Sequence, residues 1–334
     1  MKSKETRRRT VRQDAQERQI DIKTAPPGPP WLGAHLSVAG GYFRAAEAAA
    51  ALGMNTLQIF TASPQVWPVR PQASRPSGSP CRSANAQRWA SSPLDEEQVA
   101  RFRAAVSQHK LYRPVAHSCY LINLAAPDVQ IWRRSVHALI CELRRAGQLG
   151  LSHVIVHPGA STTGDDEAGL RRVVQALDEV LQACGPDDAR IMLENTAGQG
   201  TSLGWRFEHL AEIVAAVRNP EWVDVCFDTC HAFAAGYELR SAAGFRSTKR
   251  ALQTTLGIAK LQAIHVNDSK RELGSRVDRH EHIGRGALGL DAFRRLLHDP
   301  DFRTIPMYLE TPKGKWGDRD WDEVNLETLR RCAN

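Results

Sequence analysis

A chain of 334 residues with 42% hydrophobic side chains can bury a large core, and the length suits one barrel-sized domain. No run approaches the roughly 20 apolar residues of a membrane-spanning helix, and the seven scattered cysteines lack zinc-finger spacing, which favours a soluble, cytoplasmic chain with reduced thiols. The net charge of +7 invites a nucleic-acid reading, but residues 1–31 carry +4 and residues 62–93 another +4, leaving −1 for the rest, so charge alone identifies no DNA-binding surface.

In chain order, residues 1–30 form a charged arm that runs into Ala-Pro-Pro-Gly-Pro-Pro and is expected to be disordered. From Trp31 onward, short apolar runs alternate with longer amphipathic stretches. The predicted strands are Leu32–Leu36, Thr56–Phe60, Pro114–His117, Val154–His157, Ile191–Glu194, Val223–Asp228, Leu261–Val266 and Ile305–Glu310. A stretch at 68–87, rich in Pro, Ser and Arg, reads as a flexible inserted loop. Helices are expected between strands, for example over 94–109, which carries Asp-Glu-Glu near its start, and over 167–184. Eight strands separated by helices in about 300 residues indicate an α/β fold, a single (β/α)8 TIM barrel occupying residues 31–334.

The chemistry lies in how the later strands end. Apolar runs finish on His117, His157, Glu194, Asp228 and Glu310, and His265 stands one residue from the end of its strand. Successive gaps of 40, 37, 34, 37 and 45 residues are each close to one β/α unit, so a barrel brings all six to the rim where barrel enzymes keep their active sites. Converging carboxylates and imidazoles at the mouth of an apolar barrel need a cation to neutralise them. Asp228 with His231, and Asp278 with His280, extend the set to nine. Imidazole and carboxylate donors suit Zn, Mn or Fe, and nine groups suffice for two or three ions, an arrangement typical of phosphodiester hydrolysis. His109, His137, His153, His209 and His298 lie in helical or flanking segments and read as ordinary, as do Cys226 and Cys230 as buried packing. A sugar isomerase or epimerase is the main rival, because related barrels use strand-end carboxylates and histidines with one or two divalent ions, but it leaves His231, Asp278 and His280 without a task. A non-catalytic DNA-damage binding module is the second, and the intact ligand set counts against it.

Three segments carry a family resemblance: His117-Ser-Cys-Tyr-Leu-Ile-Asn-Leu-Ala, Val225-Cys-Phe-Asp-Thr-Cys-His231, and Ile264-His-Val-Asn-Asp-Ser-Lys followed by Val277-Asp-Arg-His280. With Gly33-Ala-His-Leu-Ser-Val-Ala-Gly-Gly, Glu194-Asn-Thr-Ala-Gly-Gln-Gly and Leu309-Glu-Thr, they resemble the endonuclease IV family of abasic-site endonucleases over nearly all of residues 31–315.

The resemblance implies a DNA-repair hydrolase that uses three zinc ions, with manganese compatible at one position. It cleaves duplex DNA on the 5′ side of an abasic site, leaving a 3′-hydroxyl and a 5′-deoxyribose phosphate. A hydroxide shared by two ions is the implied nucleophile, and removal of 3′ phosphates and phosphodiesters is compatible with the same centre. By resemblance, one zinc falls to His117, His157 and Glu194, a second to Glu194, Asp228, His265 and Glu310, and the third to His231, Asp278 and His280. Glu194 bridges, and Glu310 orients or deprotonates the water. Tyr120 matches the family's wedging tyrosine, Asn123 and Gln199 fall in DNA-facing segments, and a cytoplasmic monomer is expected. The sequence departs from the family pattern after Phe60. Ser63-Pro-Gln-Val-Trp67 and Asn85-Ala-Gln-Arg-Trp89 are two imperfect copies of the usual motif, both without its arginine in place, so Arg88 is the first candidate for that contact.

Overall fold

The computed structural model describes residues 28–63, 65–67, 70–71, 89–90 and 93–334. The expected disorder of the N-terminal arm, nearly all of the 68–87 insertion and Arg88 lie outside the described residues. All eight predicted strands are present, as β1 Leu32–Ala34, β2 Gln58–Phe60, β3 Val115–His117, β4 His153–Val156, β5 Arg190–Glu194, β6 Val223–Asp228, β7 Leu261–His265 and β8 Met307–Leu309. They pair in parallel in the order β1-β8-β7-β6-β5-β4-β3-β2. A bridge from His35 to Gln58 joins the two edges, and Leu36 N–H donates to Gln58 O at 2.8 Å. The barrel is therefore closed, and no long strand edge is left unpaired.

Several strands are shorter than the sequence suggested. The trailing residues His157 and Glu310 leave the ladder for the rim, and His35 keeps only its bridge to Gln58. Val115, Ile155, Met192, Cys226, Ala263 and Tyr308 pack inside the barrel and fill it. The rim is consequently a cup with an apolar floor.

The helices are α1 Tyr42–Ala51, α2 Glu96–Gln108, α3 Val129–Leu149, α4 Asp166–Ala183, α5 Phe207–Ala216, α6 Thr229–Ala235, α7 Ala242–Thr255, α8 Leu290–His298 and α9 Trp321–Ala333. Their starts are legible in the chain: Asp95, Asp128 and Asp165 each accept backbone N–H groups at the first turn of α2, α3 and α4. No helix among the described residues is long and apolar enough to cross a membrane. Asp268–Ser269 pairs with His280–Glu281 as a short antiparallel hairpin above the rim, with Ser269 opposite His280. The Asp278–His280 segment is thereby extended where it meets the cup.

Gly33 shows how closely β1 and β2 approach: a Cβ there would stand 2.3 Å from Thr56 O. Gly33→Ala is expected to lower stability by about 2–3 kcal/mol, the upper range for overpacking against backbone. Denaturant unfolding checks this, and an unchanged midpoint would show that the two strands separate freely.

Candidate metal centre

Glu194, at the end of β5, is fully buried and has four imidazole rings turned towards it. His157 Nε2 is 3.0 Å and His117 Nε2 3.1 Å from Oε2, while His265 Nδ1 is 2.8 Å and His231 Nδ1 3.3 Å from Oε1. Asp228, Asp278 and Glu310 complete a cup of four carboxylates. The ligand atoms of these nine gather into three sets, each within 4.8 Å: His117, His157 and Glu194; Glu194, Asp228, His265 and Glu310; His231, Asp278 and His280; a fourth, Asp228, Cys230 and His280, brings in one thiol. All nine residues singled out by strand-end position and by motif are thus brought together.

The hydrogen bonds behind the rings show what the cup is built to hold. A backbone carbonyl can only accept, so His117 Nδ1 donates to Ser118 O at 2.9 Å, His231 Nδ1 to Asn195 O at 2.9 Å, and His280 Nδ1 to Glu310 O at 3.2 Å. In the neutral ring each Nε2 then presents a lone pair to the centre. His231 Nε2 and His280 Nε2 face each other at 3.4 Å with Asp278 Oδ2 3.2 Å from the former, three electron pairs converging on one point. Such a grouping needs positive charge between its members, and rings oriented from behind by carbonyls are how metal-binding histidines are held. The donor set fits a divalent cation.

The titration behaviour makes the same point. Burial by itself pushes Glu194 up, but the charges of His265 and His157 and the hydrogen bond with His117 outweigh it and hold the carboxyl well below its ordinary range. Burial by itself pushes His231 down, yet Asp228 and Asp278 hold it well above the usual imidazole value. Carboxylates this crowded draw protons onto the rings when no other cation sits between them.

Gln58, His35, Asn195 and Asn267 were not singled out in the sequence. Gln58 Nε2 donates to Glu310 Oε1 at 2.6 Å and to His35 Nδ1 at 2.8 Å, which leaves Gln58 Oε1 to accept from His265 Nε2 at 2.7 Å. This one amide sets the tautomer of His265 and aims its Nδ1 lone pair at Glu194, Glu310 and, more distantly, Asp228. Asn267 joins two members of the set, donating to Asp228 Oδ2 at 2.7 Å and accepting from Glu310 N–H at 2.8 Å. Asn195 accepts from Asp228 N–H at 2.7 Å. Signals for some of these were present: His35 and both asparagines stand in the motifs quoted above. The importance of Gln58 depends on barrel closure, which no local pattern reveals.

Above the centre lies a cleft of about 420 Å³, walled by His35, Phe60, Tyr120, Thr311, Pro312 and Lys313 besides the ligand set. Tyr120 is 69% exposed at its edge. Asn123 faces inward instead: its Oδ1 accepts from Ala125 N–H at 3.1 Å and Ala160 N–H at 3.0 Å, and its Nδ2 donates to Ala160 O at 3.0 Å, so it braces two rim loops. Gln199 Oε1 accepts from Asp278 N–H at 3.0 Å and supports that segment. Cys226 belongs to the barrel floor, and burial pushes both its thiol and that of Cys230 up to about 12, although Cys230 also lies within ligating reach of Asp228 and His280. His153 is paired with Asp224 at 3.1 Å, where β4 begins, at the opposite end of the barrel from the centre.

A family model described as a xylose isomerase-like TIM barrel matches residues 46–332. The probable endonuclease 4 of Trichlorobacter lovleyi is 42% identical over 300 residues, 90% of this chain and 98% of the relative. That of Chloroflexus aurantiacus is 39% identical over 301 residues, covering 90% and 97%. The solved structure of endonuclease IV from Thermus thermophilus superposes with a TM-score of 0.75 at 34% identity, covering 91% of this chain and 98% of that one. A D-tagatose 3-epimerase-like protein superposes with a TM-score of 0.64 at 17% identity over 91% and 97% of the two chains, a likeness of fold alone. Fold and relatives together define a β/α-barrel endonuclease, a hydrolase of phosphodiester bonds. The chain belongs to the endonuclease IV family of abasic-site endonucleases, enzymes of DNA repair.

Gln58→Leu removes the amide that orients His265 and Glu310 while keeping comparable volume. Metal affinity or turnover is expected to fall about 10- to 100-fold, the usual effect of losing such support. Elemental analysis after dialysis, with turnover measured in parallel, checks it. Full metal content together with full rate would show that His265 needs no such partner.

Proposed function

We propose that this chain cleaves the phosphodiester on the 5′ side of an abasic site in duplex DNA, leaving a 3′-hydroxyl and a 5′-deoxyribose phosphate, as a cytoplasmic monomer with three zinc ions. One observation supports the reading: nine nitrogen and oxygen ligand groups gather into three sets at one mouth, two of which share the buried carboxylate of Glu194. His117, His157 and Glu194 would hold the first ion, Glu194, Asp228, His265 and Glu310 the second, and His231, Asp278 and His280 the third, with manganese compatible at one position. Bound there, the ions acidify water and stabilise the negative charge that grows on the phosphate and the departing oxygen.

The protein's own groups supply orientation and proton handling. Glu310 is held on one side by Gln58 and lies 3.2 Å from His265 on the other, so its carboxylate is placed to orient the attacking water and receive its proton. Glu194, common to the first two sets, would help hold both of the ions they bind. Lys313, the lysine in the cleft wall, is tied to Asp322 at 2.7 Å, and no protein nucleophile is needed. Tyr120, exposed at the cleft edge, is placed to wedge into the duplex beside the flipped abasic nucleotide. Arg88 is proposed to share that contact. Asn123 and Gln199 act on DNA through the loops they brace. Removal of 3′ blocking groups would draw on the same centre.

The test is nicking of a duplex carrying an abasic analogue, with and without a strong chelator, for the wild type and Glu310→Gln. The wild type is expected to contain about three zinc-class ions per chain and to lose activity to the chelator, and Glu310→Gln to be slower by about 100-fold or more. Nicking that survives the chelator, or an unimpaired Glu310→Gln enzyme, overturns the mechanism. Turnover of a ketose or aldose without nicking would instead identify a sugar-transforming barrel.

A further inference from the structure

The reaction uses the carboxylates of the cup, but another fully buried carboxylate lies outside it. Glu142, on the barrel-facing side of α3, is 1% exposed. Burial pushes its carboxyl up, opposed by a hydrogen bond with Thr61, the charge of Arg145 one turn further on, and the backbone N–H of Cys119. A buried carboxyl is costly unless its hydrogen bonds are satisfied, so its position calls for a reason.

What Glu142 touches supplies one. Its Oε2 bonds the hydroxyl of Thr61, the first residue after β2 and Phe60. Thr61 is fully buried, and its carbonyl accepts from Tyr42 OH at 2.6 Å and from Arg145 Nη2 at 2.6 Å and Nε at 3.0 Å. Arg145 Nη2 also lies 3.1 Å from Tyr42 OH. Thus α1 and α3 together grip the root of the loop that follows β2. The loop that follows β3 carries Cys119 beside this carboxylate, close enough for the charge of Glu142 to act on its thiol. Cys119 directly precedes Tyr120.

The Thr61 contact leads to one ring. Phe60, adjacent to Thr61, meets Tyr120 edge to face at a centroid distance of 5.5 Å, and Tyr120 is otherwise largely exposed. An exposed tyrosine pays a conformational cost when it is fixed on binding, and that cost falls if its loop is already set. We infer that Glu142 is a positioning residue: by bonding Thr61 it fixes the root of the loop after β2, and with it the Phe60 ring against which Tyr120 rests, and so presets Tyr120 for DNA. The inference rests on the proposed endonuclease reading and on the role given there to Tyr120.

A double-mutant cycle on the full-length, metal-loaded enzyme tests it, using nicking of the abasic-analogue duplex and reading KM and kcat separately. Glu142→Met keeps the length of the side chain and removes both carboxylate oxygens, while Glu142→Gln can still bond Thr61. In the wild-type background Glu142→Met is expected to raise KM about 10-fold with kcat within about twofold, and Glu142→Gln to stay near wild type. In a Tyr120→Ala background, where KM is already raised, Glu142→Met is expected to add nothing. A general structural role predicts instead the same loss in both backgrounds, which overturns the inference. It is also overturned if Tyr120→Ala leaves KM unchanged, or if Glu142→Gln folds and fails as Glu142→Met does. Should Glu142→Met not fold, Thr61→Val removes the partner hydroxyl and runs through the same cycle. Absence of nicking by the wild type counts against the endonuclease reading itself, so the two failures are told apart.

Discussion

A fully buried carboxylate with four imidazole rings around it is the constraint on which the rest of this molecule depends. Glu194 cannot be carried into an apolar barrel as an isolated charge. Its rings come from β3, the end of β4, α6 and β7, so satisfying it requires four separate β/α units to be in register at one level of the barrel. The floor of Val115, Ile155, Met192, Cys226, Ala263 and Tyr308 sets that level from below. Packing density beneath and charge balance above are two aspects of one arrangement.

Rigidity at the centre comes from groups that carry no ligand role. Backbone carbonyls of Ser118, Asn195 and Glu310 fix three rings, and the side-chain amides of Gln58, Asn195 and Asn267 fix His265, Asp228 and Glu310. Because each of these partners stands on a barrel strand or within two residues of one, the geometry of the cup is inherited from the sheet. The rim loops have a looser origin. They take their position from side chains on the outer helices, as Glu142 and Arg145 on α3 do for the loop that begins at Thr61.

The likeness to sugar epimerases has a physical basis as well as a limit. A barrel that gathers carboxylates and imidazoles at one mouth can hold divalent ions for several chemistries, so the fold alone does not choose among them. The third set, His231, Asp278 and His280, comes from the short helix after β6 and from the hairpin that pairs Ser269 with His280. Relatives near 40% identity along nearly the whole chain separate this protein from barrels that share only its architecture.

Strand number, strand order and the identity of the nine central groups were legible in the chain, because each β/α unit writes its own apolar run and ends it on a polar residue. Near-equal spacing was enough to place His117, His157, Glu194, Asp228, His265 and Glu310 on one rim. What tertiary structure alone decided was everything set by contact between distant segments. Gln58 and Glu310 are 252 residues apart, and only barrel closure makes them partners. The bonds of Asn123 to Ala160, 37 residues further on, are likewise set only by the fold. Sequence period reports which face of an element is buried; which hydrogen bonds its polar groups make there depends on neighbours that only the closed barrel brings within reach.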